Sequence, residues 1–433
     1  MIDPDDLKVT TLGKCRHPSP LNLASAGQPC ASFFVSDSTR IRLDLTLPPE
    51  REPGIPLSLE EAGPRERIFF EPERAAAAIV TCGGLSPGLN NVIRSVFYEL
   101  FENYGVQRVL GIRNGYLGLN PESGRKPVVL DKDFVEPIDK LGGTVLGSSR
   151  GPQQPAVMAD FLQSQNVDML FCIGGDGTQR GAHALCEELQ RRAAPIAIVG
   201  IPKTVDNDIP FVRLSFGYAT ALEKAAEVIR SAHVEARGAV NGIGLVVLMG
   251  RHAGFIAAGA SVVSQEVDFT LVPEIPFPLG GEDGFLAALE RRMRNRAHAV
   301  IVVAQGAGQH LFDESEQRRD ASGNLMSQDV GALLRQRIVA HFAQRQLPIV
   351  LKYFNPYHIR SAPANVYDRF LCDQMARHAV HAAMAGKTGM MIGLEHDRYV
   401  NVPIPAVVSQ KKAMDVSGDL WRAVLQTTGQ PRW

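Results

Sequence analysis

The chain has 433 residues, of which 45% are apolar and 21% are charged, as in an ordinary globular protein. Its formal net charge of −1 gives no basic surface of the kind that nucleic acids or anionic membranes attract, so neither is expected as a partner. No run of about 18 apolar residues predicts a membrane span, and the acidic first ten residues do not resemble a secretory signal. The six cysteines form no C-x-x-C pair and no zinc pattern. We therefore expect reduced thiols and a cytoplasmic protein.

The first 75 residues differ from the rest of the chain. They contain ten of the 28 prolines, and only residues 39–47 (TRIRLDLTL) have the pattern of a strand. This composition predicts an irregular N-terminal extension over residues 1–75 that packs on the main body, with disorder as the alternative.

From residue 75 onward, short apolar runs alternate with helical patterns. The predicted strands are residues 75–82, 107–112, 167–173, 195–201, 243–249, 269–272, 298–304 and 348–353. The predicted helices are residues 91–104, 180–192, 219–236, 284–296, 330–344 and 366–385. Such alternation predicts an α/β protein whose parallel sheets are covered by helices on both faces.

Two loops in the first half of this region indicate phosphoryl transfer. CIGGDGTQRG (172–181) and IPKTVDNDI (201–209) each follow a predicted strand, and the strands belong to one βαβ unit. If those strands are neighbours, Asp176 and Asp206 face one crevice at the carboxyl edge of the sheet. Glycine amides can approach an anion, and a carboxylate can hold Mg²⁺ or accept a proton. The alternatives are a helix N-cap for Asp176 and an Asx-turn for either Asp206 or Asp208.

Further loops supply glycines and cations. The turn at 83–90 and the loop GSSRG (147–151), which carries Arg150, suit phosphate binding, although a simple tight turn explains each of them equally well. Cations also follow the strands at 243–249 and 348–353, as suits a phosphorylated acceptor. We interpret His252 and His358 as structural. AGKTG (385–389) lacks the glycine of a P-loop and follows a helix, so it is interpreted as a capped helix end.

These motifs together resemble those of the 6-phosphofructokinases. The set is CGGLSPGLNNVIR, GGTVLGSSRG, IGGDGT, PKTVDND, SFGYATA, LMGRHAGF, VPE and YHIRSAPANVYD, and it spans about residues 75–400 in order. The N-terminal extension and the GLSPG and PKTVDND variants are most similar to the long-chain group III branch. The resemblance implies two Rossmann-like α/β domains. The first, 76–217 with about 356–400, would bind nucleotide and Mg²⁺; the second, 218–355 with 401–433, would bind fructose 6-phosphate.

The resemblance also implies roles for individual residues. Those implied for ATP are Gly84, Arg150, Gly151, Gly175, Asp176, Gly177 and Thr178, with Asp176 also as the Mg²⁺ ligand. Those implied for catalysis are Lys203, Thr204, Asp206, Asp208 and Arg251, with Asp206 as the base that deprotonates the sugar's 1-hydroxyl. Those implied for fructose 6-phosphate are Thr204, Val205, Asp206, Met249, Gly250, Arg251, Glu274, Lys352, Tyr353, Tyr357, His358, Ile359 and Arg360.

Two positions bear on the phosphoryl donor. Pyrophosphate-using members of the family carry aspartate at the position of Gly177 and lysine at that of Lys203, whereas classical ATP-using members carry glycine at both. Since a carboxylate at 177 would crowd and repel the nucleotide's α-phosphate, its absence favours ATP, with pyrophosphate as the alternative. The short bacterial enzymes have histidine where this chain has Tyr357, and a neighbouring subunit's arginine where it has Gly242, so their contact between subunits is not carried over.

The family resemblance further implies a homodimer or homotetramer. Other classes of protein fit the motifs less well. NAD and lipid kinases share GGDGT but lack PKTVDND and the Arg360 loop. A catalytically silent regulatory paralogue has no physical need to keep Asp176, Asp206, Arg251 and Arg360 together. The sequence therefore predicts an ATP-dependent 6-phosphofructokinase.

Overall fold

The structure is a computed structural model that describes residues 3–23, 33–45, 56–312 and 328–433. Its strands are β1 (Thr10–Thr11), β2 (His17–Pro18), β3 (Arg40–Arg42), β4 (Ser58–Glu61), β5 (Arg67–Ile68), β6 (Ala76–Thr81), β7 (Arg108–Ile112), β8 (Val128–Val129), β9 (Met169–Gly174), β10 (Ala197–Pro202), β11 (Gly242–Leu248), β12 (Phe269–Leu271), β13 (His298–Ala304), β14 (Val350–Phe354), β15 (Lys387–Thr388), β16 (Met390–Glu395) and β17 (Arg398–Pro403).

Its α-helices are α1 (Leu89–Tyr98), α2 (Lys132–Val135), α3 (Pro155–Ser164), α4 (Asp176–Arg191), α5 (Tyr218–Gly238), α6 (Phe255–Ser264), α7 (Phe285–Arg296), α8 (Val330–Gln344), α9 (Val366–Met384), α10 (Ile404–Val408) and α11 (Asp419–Thr428). A π-helical segment, Glu99–Tyr104, continues α1. Within the described ranges, no helix is both long and apolar enough to cross a membrane.

The chain divides into two compact units. Unit 1 comprises Met1–Thr204, Ile209–Gly217 and Ser361–Lys411. Unit 2 comprises Val205–Asp208, Tyr218–Arg360 and Lys412–Trp433. Each unit is therefore discontinuous in sequence. The sequence placed the return to the first domain near residue 356 and the last crossing near residue 401, which are five and eleven residues before the observed positions, Ser361 and Lys412.

Unit 1 is built on a nine-stranded sheet in the order β3-β4-β17-β16-β10-β9-β6-β7-β8. The strands from β16 through β7 in this order run parallel, and every residue of β6, β9 and β10 is buried. These strands read as unbroken apolar runs because helices cover both faces of a parallel sheet, so neither face alternates with polar residues.

The edges of this sheet are antiparallel, which the sequence did not predict. Strands β16 and β17 form a hairpin whose two-residue turn, His396 and Asp397, has φ of 49° and 60°. Positive φ at both turn positions matches the right-handed twist of the flanking strands. The turn was missed because His-Asp is not one of the glycine-containing pairs that usually signal it.

The N-terminal extension contributes strands to unit 1. Strand β3 lies within the predicted strand at 39–47, of which residues 46 and 47 fall outside the described residues. Strands β3 and β4 extend the large sheet, β1 pairs with β15, and β2 pairs with β5. The described part of the extension is therefore an integral layer of unit 1. The sequence did not indicate its shortest strands because two-residue strands have no periodicity to detect.

A buried ionic cluster fixes the extension to the body of unit 1. The Glu60 carboxylate accepts hydrogen bonds from Arg65 at 2.8 Å and from Asn401 at 2.9 Å, and it pairs with Lys387 at 2.7 Å. Both cationic side chains are at most 5% exposed. Lys387 is the lysine of AGKTG, and Gly386 has a φ of 68° just after α9. The interpretation of AGKTG as a helix end is therefore confirmed.

Unit 2 is built on a wholly parallel four-stranded sheet in the order β12-β13-β11-β14. Helices α5 and α6 pack on one face, and the side chains of α7 and α8 join the apolar cluster on the other. The C-terminal segment completes this unit. The Gln430 side chain bonds to the backbone of Thr270, and the Trp433 ring stacks on Phe269.

Candidate functional site

Three neighbouring strands of unit 1 end at one edge of the sheet. Strand β9 lies between β6 and β10, with Thr81 opposite Ile173 and Gly174 opposite Pro202. Parallel strands present their carboxyl ends together, so the loops that follow β6, β9 and β10 leave from the same edge. This confirms that the two strands of the βαβ unit are adjacent, as the phosphoryl-transfer interpretation required.

The GGDGT loop forms the N-terminus of α4. The helix begins at Asp176, four residues before the predicted start, with Gly175 as its N-cap. Asp176, Gly177 and Thr178 therefore lie in the first turn, where unbonded backbone N–H groups and the helix dipole favour an anion. The Asp176 carboxylate is 48% exposed and pairs with Arg180 at 2.7 Å. Since the N-cap is Gly175, Asp176 does not act as the cap.

Gly177 faces open space in this turn. Apart from its two chain neighbours and the nearby backbone of α4, no described atom lies within 4 Å of a Cβ built on Gly177. At Gly174, by contrast, a Cβ would stand 2.1 Å from the Thr178 hydroxyl, so the strand end tolerates only glycine. The space beside Gly177 is the space that a carboxylate would occupy in the pyrophosphate-using pattern.

A buried tyrosine that the sequence analysis did not single out supports α4. The Tyr116 hydroxyl donates a 2.7 Å hydrogen bond to the Thr178 carbonyl, and its ring lies where a Cβ on Gly181 would clash at 2.6 Å. Burial raises the pKa of Tyr116 well above its usual value, so the hydroxyl remains a donor. Tyr116 thus fixes the first turn of α4. In the sequence, the only feature that could have pointed to Tyr116 is its position in a glycine-rich loop after β7.

The thiols near this edge are inert. Cys82 and Cys172 are buried and free, and burial raises the pKa of each thiol well above its usual value. Protonated thiols are poor nucleophiles. The expectation of reduced thiols is met at these two cysteines.

The glycine-rich turn after β6 is joined to the GSSRG loop. The Gly83 N–H donates to the Ser149 carbonyl at 3.1 Å, and the Ser148 hydroxyl donates to the Gly83 carbonyl at 2.6 Å. Arg150 follows Ser149 with an exposed side chain, and Gly151 has a φ of 102°. The structure therefore brings Gly84, Arg150 and Gly151 onto linked loops, as predicted for a nucleotide site.

Lys203 also belongs to this edge of unit 1. Its N–H donates to the Gly174 carbonyl at 3.1 Å, and its side chain is buried. A Cβ on Gly83 would stand 3.4 Å from its ammonium nitrogen. Lys203 thus places a cation at the edge where the glycine loops meet. Thr204 ends this segment, and its carbonyl accepts a 2.6 Å hydrogen bond from Ser215.

The remaining predicted residues lie in unit 2, beginning with Asp206. Its carboxylate oxygen Oδ2 accepts a 3.3 Å hydrogen bond from the Arg251 backbone N–H. Val205 and Asp208 flank it in the same short segment, where Asn207 has a φ of 57°. Asp176 belongs to unit 1 and Asp206 to unit 2, so their common crevice stays a prediction.

A cleft of about 160 Å³ lies at the carboxyl end of the unit 2 sheet. Met249 and Tyr357 line it, as do Gln305 and Asn355, which the sequence analysis did not select. Gln305 directly follows β13, and Asn355 directly follows β14. A polar residue immediately after a strand was the signal that would have identified both.

The loop after β14 holds its cation over an aromatic ring. The Arg360 guanidinium donates to the Tyr357 hydroxyl at 2.8 Å, and its carbon lies 4.1 Å from the ring centre. His358 is exposed, whereas Ile359 is 2% exposed and packs inward. Any role of Ile359 toward a ligand would therefore involve its backbone.

The side chains of Lys352 and Tyr353 lie on opposite sides of the strand that carries both. They are consecutive residues of β14, so their side chains point to opposite faces of the sheet. Lys352 pairs with Glu235 of α5 at 3.6 Å, while Tyr353 lies against Gly331 of α8. Neither is among the described residues that line the cleft beside Tyr357, so their predicted sugar-binding roles stay predictions.

Glu274 is held by backbone amides of two other segments. Its carboxylate accepts hydrogen bonds from the Gly254 N–H at 2.9 and 3.1 Å and from the Met414 N–H at 2.9 Å. Among the described residues, the lining of the cleft beside Met249 does not include Glu274. Its predicted contact with the sugar also stays a prediction.

No cluster of three or more histidine, cysteine, aspartate or glutamate side chains suited to a metal occurs in the described ranges. The carboxylate available at the α4 turn is Asp176. A lone carboxylate does fit Mg²⁺, which prefers one or two carboxylates together with phosphate oxygens and water.

Comparison with known proteins gives concordant results. A family model described as phosphofructokinase matches residues 76–383. The chain is 45% identical over 436 residues to an ATP-dependent 6-phosphofructokinase of Borreliella burgdorferi, covering 98% of this chain and 97% of that relative. It is 44% identical over 438 residues to one of Amycolatopsis methanolica, covering 99% and 95% respectively.

Solved structures show the same fold at lower identity. A pyrophosphate-dependent phosphofructokinase from Marinobacter aquaeolei is 22% identical with a TM-score of 0.66, covering 82% of this chain and 91% of that one. A phosphofructokinase from Pichia pastoris is 22% identical with a TM-score of 0.62, covering 83% and 38%. The predicted two-domain α/β fold is therefore confirmed.

Proposed function

Because the chain belongs to the phosphofructokinase family, we propose that it transfers the γ-phosphate of ATP to the 1-hydroxyl of fructose 6-phosphate, giving fructose 1,6-bisphosphate and ADP. The observation that carries the proposal is the identity of 44–45% with ATP-dependent 6-phosphofructokinases over at least 95% of both lengths. The family membership that the motifs predicted is confirmed, and the relatives are kinases.

The choice of ATP as donor is supported by the first turn of α4. The open space at Gly177 leaves room for a nucleotide, whereas an aspartate there would add a charge beside its phosphates. Lys203 contributes a buried cation to the same edge, which suits the phosphates of either donor. The pyrophosphate-dependent reaction therefore remains the alternative for the test below to decide.

In the proposed reaction, Asp206 accepts the proton of the 1-hydroxyl. Its Oδ2 is held by the Arg251 N–H, so its orientation is fixed before substrate arrives. The Arg251 side chain would stabilise the charge on the transferring phosphoryl group. Arg360 would hold the 6-phosphate, and its stacking on Tyr357 limits the loss of side-chain freedom on binding.

We propose that Asp176 is the protein ligand of Mg²⁺. When bound, Mg²⁺ would neutralise charge on the donor's phosphates. The carboxylate is about half exposed and lies in the helix turn that suits phosphate, so it can take part in such a site. Its pairing with Arg180 would then be shared or released, which leaves Arg180 available to a phosphate oxygen.

We further propose a cytoplasmic homodimer or homotetramer. The experiment is the measurement of fructose 1,6-bisphosphate formation from fructose 6-phosphate, with ATP and pyrophosphate as parallel donors and with Mg²⁺ titrated. Turnover with ATP supports the proposal. Turnover with pyrophosphate alone would favour the pyrophosphate-dependent reaction, and no turnover with either donor would contradict the assignment. Light scattering after size exclusion reports the oligomeric state.

A further inference from the structure

The side chain of Gln309 joins two segments of unit 2 that line the cleft beside Tyr357. Its amide oxygen Oε1 accepts the Gln328 N–H at 2.9 Å, and its amide nitrogen Nε2 donates to the Gln328 carbonyl at 3.2 Å. The side chain therefore pairs with both backbone groups of one residue, much as a residue of a neighbouring antiparallel strand does. Because hydrogen bonds are directional, this double contact fixes orientation as well as distance.

The same amide nitrogen is directed back at the loop that carries Gln309. Nε2 lies 3.5 Å from the Gln305 carbonyl oxygen and 3.4 Å from the Ala307 carbonyl oxygen. Gly308 has a φ of 64°, a left-handed conformation that turns the chain just before Gln309. These two hydrogen bonds are long and individually weak. Together they hold the loop 305–309 to the same amide group that holds Gln328.

The loop 305–309 also packs on the turn that carries Arg251. The Gly306 N–H donates to the Gly250 carbonyl at 2.8 Å. A Cβ on Gly306 would stand 1.8 Å from the Arg251 carbonyl oxygen, so this close approach requires glycine. Backbone contacts therefore fix the loop to the Arg251 turn, and the Gln309 side chain fixes it to the start of α8.

Both segments that Gln309 joins contribute to the lining of the cleft. The lining includes Gln305 from the loop and, from the start of α8, Gln328, Asp329 and Val330. Among the described residues, Gln309 itself is not part of this lining. The cleft has a volume of only about 160 Å³, so a small shift of either segment changes the space that a ligand finds there.

We propose that Gln309 is a positioning residue, which holds Gln305 in place at the fructose 6-phosphate cleft by joining its loop to the start of α8. The proposal rests on the proposed function, which assigns this cleft to the sugar phosphate. Gln309→Met keeps the length of the side chain and removes the amide, whereas Gln309→Glu keeps the acceptor oxygen and loses the donor. The matched control is Gln344→Met, at an exposed position at the end of α8.

Steady-state kinetics distinguish positioning from a general loss of stability. Gln309→Met should raise the KM for fructose 6-phosphate by about fivefold to tenfold and leave the KM for ATP, whose proposed site lies in unit 1, within about twofold of wild type. Gln309→Glu should raise the same KM, because a carboxylate cannot donate to the Gln305 carbonyl. Equal rises for the two substrates would overturn the proposal. In a Gln305→Ala background, Gln309→Met should have a much smaller effect; a full, additive rise would also overturn it.

Hydrogen exchange tests the contact without substrate, because the Gln328 amide hydrogen is bonded to Gln309 Oε1. In Gln309→Met this amide should exchange about fivefold to tenfold faster than in wild type, while Gln309→Glu and Gln344→Met leave it nearly unchanged. Unchanged exchange in Gln309→Met would refute the positioning role.

The proposed function and the positioning role fail in different ways. An active wild-type protein whose KM for fructose 6-phosphate is unchanged by Gln309→Met would overturn the positioning role alone. A wild-type protein that is inactive with both donors and shows no fructose 6-phosphate binding in calorimetry would overturn both, even if the exchange of the Gln328 amide still accelerates in Gln309→Met.

Discussion

Placing a carboxylate at position 177 should change the donor preference without harming the fold. Gly177 is the second residue of α4, it is exposed, and a Cβ there would meet open space. An acidic residue in the first turn of a helix contributes about 0.3–1 kcal/mol of favourable energy. The Gly177→Asp variant should therefore melt at or slightly above the temperature of the wild-type protein.

The cost to ATP follows from charge. Two like charges about 4 Å apart repel by roughly 1 kcal/mol in water and roughly 4 kcal/mol at an effective dielectric constant of 20. This range corresponds to a loss of about fivefold to about a thousandfold in kcat/KM for ATP. A pyrophosphate donor, which has no α-phosphate with an attached nucleoside, should lose much less.

The assay compares kcat/KM for ATP and for pyrophosphate in wild type, Gly177→Asp and Gly177→Asn. Asparagine has nearly the size of aspartate but no charge, so it isolates the effect of crowding. Equal proportional losses with the two donors in Gly177→Asp would refute the reasoning. Equal losses of kcat/KM for ATP in the two variants would show that charge repulsion does not contribute to the effect. A lowered melting temperature would contradict the open space at this position.

Three further predictions follow from the described contacts. Asp206→Ser should lower kcat by several orders of magnitude while fructose 6-phosphate binding, measured by calorimetry, is largely retained; near-normal turnover would exclude Asp206 as the base. Lys387→Met should destabilise unit 1 by about 2 kcal/mol. The loss is smaller than the roughly 3–5 kcal/mol of a fully uncompensated charge, because Arg65 and Asn401 still bond Glu60. With the exposed Lys411→Met as control, a loss of ATP-dependent activity at an unchanged melting temperature would instead favour a P-loop role for AGKTG. Burial lowers the pKa of His378 to about 4, below the ordinary histidine value of about 6.5. The unfolded chain therefore binds more protons, and the free energy of unfolding should fall by up to about 3 kcal/mol as the pH drops from about 6.5 to about 4. In urea titrations repeated across this pH range, His378→Gln should weaken the dependence of the free energy of unfolding on pH. An unchanged dependence would contradict the role given to His378.

The alternation of apolar runs and helical patterns was sufficient to predict the core of both units. Strand β13 was predicted with its observed limits, and β9 and β10 within two residues. These strands are buried on both faces, so the sequence must be apolar throughout and the signal is strong. The helices α3, α6 and α11 were not predicted, although α3 and α6 lie between successive strands of the alternation; α6 is too apolar to show a polar face.

The chemistry of the site was predicted to the level of loops. GGDGT, GSSRG and MGRHAG combine glycines with charged residues and so suit anion binding, although a tight turn explains GSSRG equally well; each loop could be selected as a candidate without coordinates. The family resemblance added roles for single residues, and the structure brings Gly84, Arg150 and Gly151 onto linked loops of unit 1.

By itself, the sequence determined the fold class, the order of the strands along the chain and the loops proposed to carry phosphate chemistry, because these depend on local composition and on the periods of helix and strand. The tertiary structure decided which side chains reach those loops. Lys352 turns to α5 because strand residues alternate between faces, and Glu274 meets Gly254 and Met414 because folding joins segments that are 20 and 140 residues away. Contacts between such distant segments leave no local pattern in the sequence, so only the folded chain reveals them.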